Sequence, residues 1–283
     1  MPLFRLTGKR GKKIAVNEAE LLFTEVLGCD RISLYLDAGR PLSLNQFRTV
    51  ARALKRRISG EPIQYILGKA EFMGIMLKVN KSVLIPRPET EILAQTVIKY
   101  AQECPARGKK NILDLCTGSG CVALSINRYI PHARVDAVDI SEEAIGVAKK
   151  NALAHNLKVN FIKSDLFSNS ELSGKKYDII VANPPYVASL EISTLSREVR
   201  CEPRIALDGG DDGLKFYRRV IGSACPYLND MGFLIMEMGF GQKESIEAIA
   251  RETGMFALVN VLKDHNDIER VMVLRKVLSD SAN

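Results

Sequence analysis

From residue 111 onward, short β-branched and apolar runs alternate with longer stretches of helical periodicity, and this alternation restricts the chain to a layered α/β fold. Strand-like runs fall at 111–115, 134–139, 160–163, 177–182 and 232–237, and helical segments at 119–129, 141–155, 214–227 and 241–253. Strands joined through helices pair in parallel, and the sheet they make needs helices on both faces. Two late runs, 256–262 and 270–277, are joined by a short connection, which predicts an antiparallel pair at the sheet edge. No internal repeat or low-complexity tract interrupts the pattern, and residues 279–283 read as a loose tail.

The first third of the chain reads differently. Asn17 is a good N-cap for a helix whose apolar positions 19, 22, 23, 26 and 27 share one face. Ser43-Leu-Asn-Gln46 has the capping-box spacing and opens a second helix through Arg57, with Gly60 as its stop. Together these predict a small helical bundle. Residues 71–79 and 83–85 then suggest a β-hairpin, with Gly74 and Asn80-Lys-Ser82 as turn material. Pro86 and Pro88 hold the next stretch extended, and Pro88 opens a helix over 89–102. The expected organisation is a helical domain at 1–68, a hairpin linker at 69–88 and the α/β domain at 89–283; 283 residues can bury a core for both domains.

Charge is unevenly spread. Residues 1–60 hold twelve Lys/Arg against five Asp/Glu, an excess that equals the net +7 of the whole chain. A basic module favours an acidic or nucleic-acid-bearing partner, although the same pattern suits a solvated helix face. No apolar run approaches the roughly 20 residues that cross a bilayer, and the first residues lack a signal peptide's apolar core, so a cytoplasmic location with no membrane partner is expected. Cysteines 29, 104, 116, 121, 201 and 225 include no Cys-x-x-Cys pair, and the three histidines stand far from them, so no metal site is expected. Reduced, mostly buried thiols are the expectation.

Two strand ends carry candidate ligand chemistry. Asn111-Ile-Leu-Asp-Leu-Cys-Thr-Gly-Ser-Gly-Cys-Val-Ala-Leu-Ser125 is a buried strand, a turn containing Gly118 and Gly120, then a helix. Such a turn can cradle a nucleotide or can simply be tight. The next strand ends in Asp139, whose carboxylate could accept both hydroxyls of a ribose. Ala123 meets the third small position of the dinucleotide fingerprint, so this region alone separates NAD from S-adenosylmethionine no further. Asp165 follows the third strand, either to bond an adenine amine with Leu166 or Phe167 against the ring, or as a turn cap.

The chemistry is narrowed by Asn183-Pro184-Pro185-Tyr186, which ends the strand 177–182 where α/β sheets bind ligands. Two prolines stiffen the backbone and remove two N–H donors. The acceptors that remain are the Asn183 side-chain oxygen and the Pro184 carbonyl, and Tyr186 adds a flat apolar wall. This combination suits an –NH2 group on a planar π-system. Accepting both N–H bonds would orient the poorly nucleophilic nitrogen and stabilise the positive charge that develops on it during attack.

With these residues in hand, the chain resembles the PrmC (HemK-like) family of protein glutamine-N5 methyltransferases. The resemblance rests on Glu61-Pro-Ile-Gln-Tyr-Ile-Leu-Gly68, Val83-Leu-Ile-Pro-Arg-Pro-Glu-Thr-Glu91, Asp114-Leu-Cys-Thr-Gly-Ser-Gly120, Asp139-Ile-Ser141, Asn183-Pro-Pro-Tyr186, residues 202–214 and Glu237-Met-Gly239, covering about 18–276. It implies a class I S-adenosylmethionine-dependent fold, Rossmann-like, with a mostly parallel sheet and an antiparallel C-terminal edge. The methyl donor it implies is S-adenosylmethionine. The implied substrate is the Gly-Gly-Gln glutamine of peptide chain release factors, and a monomer is expected. Cys116, Thr117, Gly118, Ser119, Gly120, Asp139, Asp165, Leu166 and Asn183 would contact the cofactor. Asn183, Pro184, Pro185 and Tyr186 would hold the amide, with Asn183, Pro184 and Tyr186 catalytic.

Three departures stand out. Cys116 sits where the family usually has glycine, Leu166 replaces a residue that is aromatic in some relatives, and residues 264–270 form a variant loop. Asn-Pro-Pro-Tyr is shared with enzymes that methylate the adenine amine of nucleic acids. A nucleic-acid adenine-N6 methyltransferase is therefore one alternative, but residues 61–283 are neutral overall, which makes a nucleic-acid partner unexpected. A ribosomal-protein glutamine methyltransferase is a second, and a binding scaffold without catalysis a third.

Overall fold

A computed structural model of the chain describes residues 4–7, 13–36, 39–103 and 109–277. Its contacts divide the chain into two units, one of residues 1–69 with 196–201, the other of residues 70–195 with 202–283.

The first unit contains helices α1 (Glu18–Leu27), α2 (Arg31–Leu36), α3 (Leu44–Ile58) and α4 (Ile63–Leu67). Asn17 and Ser43 both close full capping boxes, with Glu20 and Gln46 respectively. α3 stops as expected: it ends at Ile58 with Ser59 as its cap, and Gly60 follows in the left-handed region at φ 90°, where its N–H and that of Glu61 donate back to the Arg57 and Arg56 carbonyls. The unit's core is small, built on Leu22, Ala53 and Ile63. Ion pairs also link its elements. Arg56 grips Glu61 through two bonds of 2.7 and 2.9 Å, and Arg57 bridges Glu18 and Glu198. Ahead of the helices, the backbone of β1 (Phe4–Thr7) pairs antiparallel with β2 (Lys13–Val16), a hairpin not among the elements expected from the sequence.

Leading into the second unit, β3 (Lys69–Phe72) and β4 (Ile75–Lys78) form the linker hairpin, turning at Met73 and Gly74, both at positive φ. Two positive φ angles in a two-residue loop match the twist of the strands. The expected strand over 83–85 is absent. Val83 and Ile85 are buried as irregular backbone, and the Ile85 N–H donates to the Glu202 carboxylate at 3.1 Å instead of to a strand partner. Pro88 begins α5 (Pro88–Glu103), as its fixed φ favours.

The main sheet has seven strands in the order β10-β11-β9-β8-β5-β6-β7. β5 (Asn111–Leu115), β6 (Arg134–Asp139), β7 (Asn160–Lys163), β8 (Tyr177–Ala182) and β9 (Leu228–Glu237) are parallel. β10 (Phe256–Lys263) and β11 (Glu269–Lys276) close the edge antiparallel, as their short connection predicts. Helices α6 (Cys121–Tyr129), α7 (Glu142–Ala154), α8 (Lys215–Ala224) and α9 (Lys243–Thr253) link the strands. Two apolar clusters, one on each face of the sheet, bury the alternating strand side chains. β9 starts at Leu228, four residues before the expected start, because a polar excursion at Asn229-Asp230 with Met231 at φ 62° hides its first residue from the pattern. The helix read as 214–227 stops at Ala224 and tightens into a single turn at Pro226.

The strand order reverses at β5, which lies between β8 and β6. Crevices at such a point, beyond the C-terminal strand ends, are where open α/β sheets hold ligands. Among the described residues no helix is long and apolar enough to cross a membrane. The five described cysteines are free thiols; Cys121 is buried, whereas Cys29, Cys116, Cys201 and Cys225 are only partly buried, short of the expected mostly buried thiols. Cys104 and the 279–283 tail lie outside the described residues.

Candidate active site

A cavity of about 1200 Å³ opens beyond the C-terminal ends of β5, β6 and β8. Its lining includes Cys116, Thr117, Gly118, Ser119, Asp139, Asp165, Leu166, Asn183 and Pro185 from the expected site. Gly120, Pro184 and Tyr186, also expected there, are not among the residues that line it.

The turn after β5 is fixed by its own backbone. Thr117 N–H donates to Val138 O at 2.9 Å, and Gly120 N–H donates back to Thr117 O at 2.8 Å. The two glycines serve different ends. A Cβ on Gly118 would meet nothing within 4 Å, so that residue faces open cavity, whereas one on Gly120 would press to 3.1 Å of Ala148 on α7. Both have positive φ, and Gly120 thus sets helix packing while Gly118 leaves room for a ligand. Cys116, at φ 59°, holds a left-handed conformation that a β-carbon disfavours.

Asp139 ends β6 and accepts from two backbone amides, Gly118 N–H on Oδ2 at 2.8 Å and Ser141 N–H on Oδ1 at 3.0 Å. Each oxygen keeps a lone pair for a hydroxyl donor. Burial raises its pKa above the usual carboxylate value, opposed by these amides. Behind it lies Asp114, buried on β5, which receives the Thr117 hydroxyl at 2.6 Å and whose pKa burial lifts to about 7. Ser119 Oγ is buried without a partner among the described residues. The carboxylate and the open face of Gly118 fit the ribose end of an adenosine group.

Asp165 is already engaged by Arg219 Nη2 at 2.9 Å. Leu166, at φ 53°, lines the cavity. The expectation that Phe167 could back an adenine ring is overturned: its ring stacks on Tyr227 at 4.6 Å and is packed in the core.

On the other side of β5, Asn183 lines the cavity at the end of β8. Its Nδ2 donates to Thr90 Oγ1 on α5 at 3.2 Å, which leaves Oδ1 without a donor among the described residues. The Thr90 hydroxyl and the Asn183 amide both face the carboxylate of Glu237 at the end of β9. Glu237 is 2% exposed, and its Oε2 has no partner among the described residues. Burial raises its pKa to about 7. Tyr186 is half-buried with its backbone wedged into place: its carbonyl accepts from Gln242 Nε2 at 3.0 Å, and a Cβ on Gly213 would stand 2.4 Å from that oxygen. Burial pushes the Tyr186 phenol above its ordinary range. Thr90 and Glu237 were missed as site residues. Only their place in recurring motifs hinted at them, because contact across 93 positions leaves no local pattern.

A switch-point cavity, a carboxylate ending the second strand and an acceptor side chain ending the fourth define a Rossmann-like methyltransferase. Consistent with this, a family model described as "Methyltransferase small domain" matches residues 90–210, and "PrmC N-terminal domain" matches residues 5–68. The release factor glutamine methyltransferase of Thermodesulfovibrio yellowstonii is 41% identical over 92% of this chain and 92% of its own length. That of Geobacter sulfurreducens is 39% identical over 93% and 90%. The chain belongs to the release factor glutamine methyltransferase family. Among solved structures, the hMettl16 catalytic domain in complex with MAT2A 3'UTR hairpin 1 shares the fold, with a TM-score of 0.60 over 98% of this chain and 97% of that one at 15% identity.

Proposed function

We propose that this enzyme moves the methyl group of S-adenosylmethionine onto the side-chain amide nitrogen of the glutamine in the Gly-Gly-Gln motif of peptide chain release factors. The observation that carries this reading is the orientation of Asn183: its NH2 is taken by Thr90, so its oxygen is the atom left to accept from a substrate –NH2.

When bound, S-adenosylmethionine supplies an electrophilic methyl on a sulfonium. Asp139 would accept the ribose hydroxyls, with the turn Cys116-Thr117-Gly118-Ser119 beside the nucleoside and Gly120 setting the helix behind it. Leu166 would cover one face of the purine, and Asp165 would divide its carboxylate between Arg219 and the adenine amine. Asn183 Oδ1 and the Pro184 carbonyl would accept the two N–H bonds of the glutamine amide, with Pro185 and Tyr186 holding the slot rigid and apolar. These acceptors do two things. They aim a lone pair that resonance otherwise ties into the carbonyl, and they stabilise positive charge developing on nitrogen. No strong base is required, because the methylated nitrogen is acidic and sheds its proton late.

Of the cations on α3, Arg56 and Arg57 are committed to carboxylates within their unit, whereas Arg48, Arg52 and Lys55 are exposed and suit contact with a protein substrate. The direct test offers labelled S-adenosylmethionine with release factors, DNA and ribosomes in parallel, then locates the label by mass spectrometry. Label on the Gly-Gly-Gln glutamine is the expected result; label on adenine or on a ribosomal protein would overturn the substrate.

A further inference from the structure

The substrate reading assigns no task to Glu237, yet a carboxylate this deep is costly unless something depends on it. It ends β9 directly after Met236, which pairs across the sheet with Ala182, the residue directly before Asn183. One of its oxygens lacks any partner among the described residues, and the donors turned toward it are the Thr90 hydroxyl and the Asn183 amide. An asparagine amide has two ends of similar shape, so packing alone scarcely selects which end faces the cavity. A carboxylate behind it selects strongly, since only the NH2 end is attracted to negative charge.

Resting on the proposed glutamine chemistry, we infer that Glu237 is a positioning residue that, with Thr90, locks the Asn183 amide so that its oxygen, not its nitrogen, meets the substrate –NH2. A flipped Asn183 would present donors to a donor, and the amide slot would lose its first acceptor.

The groups facing Glu237 are Glu89 and Thr90 on α5, Cys121 on α6, Asn183 and Tyr186 after β8, Tyr217 on α8 and Arg270 on β11. Arg270 favours its ionised form, while Glu89 and burial oppose it, which places the change of charge near pH 7. Ionised, Glu237 only accepts and holds Asn183 in the productive sense. Protonated, it can donate to Asn183 Oδ1 and so tolerate the flip. Turnover should therefore rise with pH through about 7.

The experiment measures methyl transfer to a full-length release factor by the whole enzyme carrying Glu237→Gln, Thr90→Val or Thr90→Ser. Glu237→Gln keeps the shape but offers an NH2 to Asn183. It should lower kcat by about 10- to 100-fold, the range usual for groups that orient a functional ligand. S-adenosylmethionine affinity by calorimetry should stay as in the wild type, and the rise of kcat through about pH 7 should disappear. Thr90→Val should lose turnover in the same direction, with Thr90→Ser recovering most of it. Unchanged kcat in Glu237→Gln, or a kcat loss matched by an equal loss of cofactor affinity, overturns the inference while leaving the substrate reading intact. A wild type that labels no Gly-Gly-Gln glutamine overturns the substrate reading and this inference with it.

Discussion

Asp139 and Glu237 both end parallel strands of the same sheet, and they are held in opposite ways. Asp139 faces the cavity, and its oxygens are gripped by the backbone amides of Gly118 and Ser141. Glu237 is sealed away from the cavity, and the donors near it are side chains that themselves reach the site. Backbone donors give fixed geometry that survives most substitutions; side-chain donors give an arrangement that one substitution can reverse. The donor-side wall therefore suits affinity, and the acceptor-side wall suits orientation of the reacting amide.

Asn183→Ala tests this contrast hardest. Turnover should fall by about 10²–10³-fold, as when one group stabilising transition-state charge is removed, while cofactor affinity by calorimetry stays near wild type. A parallel loss of affinity would erase the distinction between the walls. Asp139→Ala should do the reverse, weakening S-adenosylmethionine binding by about 10- to 100-fold for lost charge-assisted bonds while kcat at saturating cofactor changes little. Gly120→Ala sharpens the donor side: a methyl against Ala148 at positive φ should destabilise by about 1–3 kcal/mol, read as a lower Tm. An unchanged Tm would mean that α6 and α7 can separate without cost.

The smallest effect concerns pH. Asp114 and Glu237 have their pKa values raised in the folded state from 3.8 and 4.5 to about 7. Folding therefore gains from them fully below about pH 4, and the gain is lost as pH rises through about 7. Asp208, Asp212 and Asp264 have depressed values, so their contribution is already complete above the ordinary carboxylate range. Tm should thus decline from pH 5 to pH 8. Asp114→Asn removes the donor-side share of that slope and Glu237→Gln the acceptor-side share; a Tm that rises over this window would contradict both.

The strands of the main sheet were legible because buried parallel strands are uninterrupted apolar runs, and Asn17, Ser43 and Pro88 announced their helices through local capping chemistry. Legibility failed where non-local bonds decide the conformation. Val83–Ile85 has strand composition but gives its N–H to Glu202, more than a hundred residues away. Leu228 pairs with Tyr177 across a polar excursion that breaks the pattern. In the site, the residues that reach the cavity from strand ends were readable as motifs. The direction in which Phe167 points, the ion pair that occupies Asp165 and the brace behind Asn183 were not, because each depends on a partner from a distant element.

Cys116 sits in the cavity wall with Asp114, Asp139 and Asp165 nearby, and burial with these negative charges drives its thiol to titrate well above the ordinary range. A thiolate beside a sulfonium would be a far better nucleophile than any amide and would capture the methyl for itself. Under the proposed chemistry, a sulfur kept protonated in this way would not compete with the amide for the methyl, so the acidic lining would protect the methyl donor as well as hold its ribose.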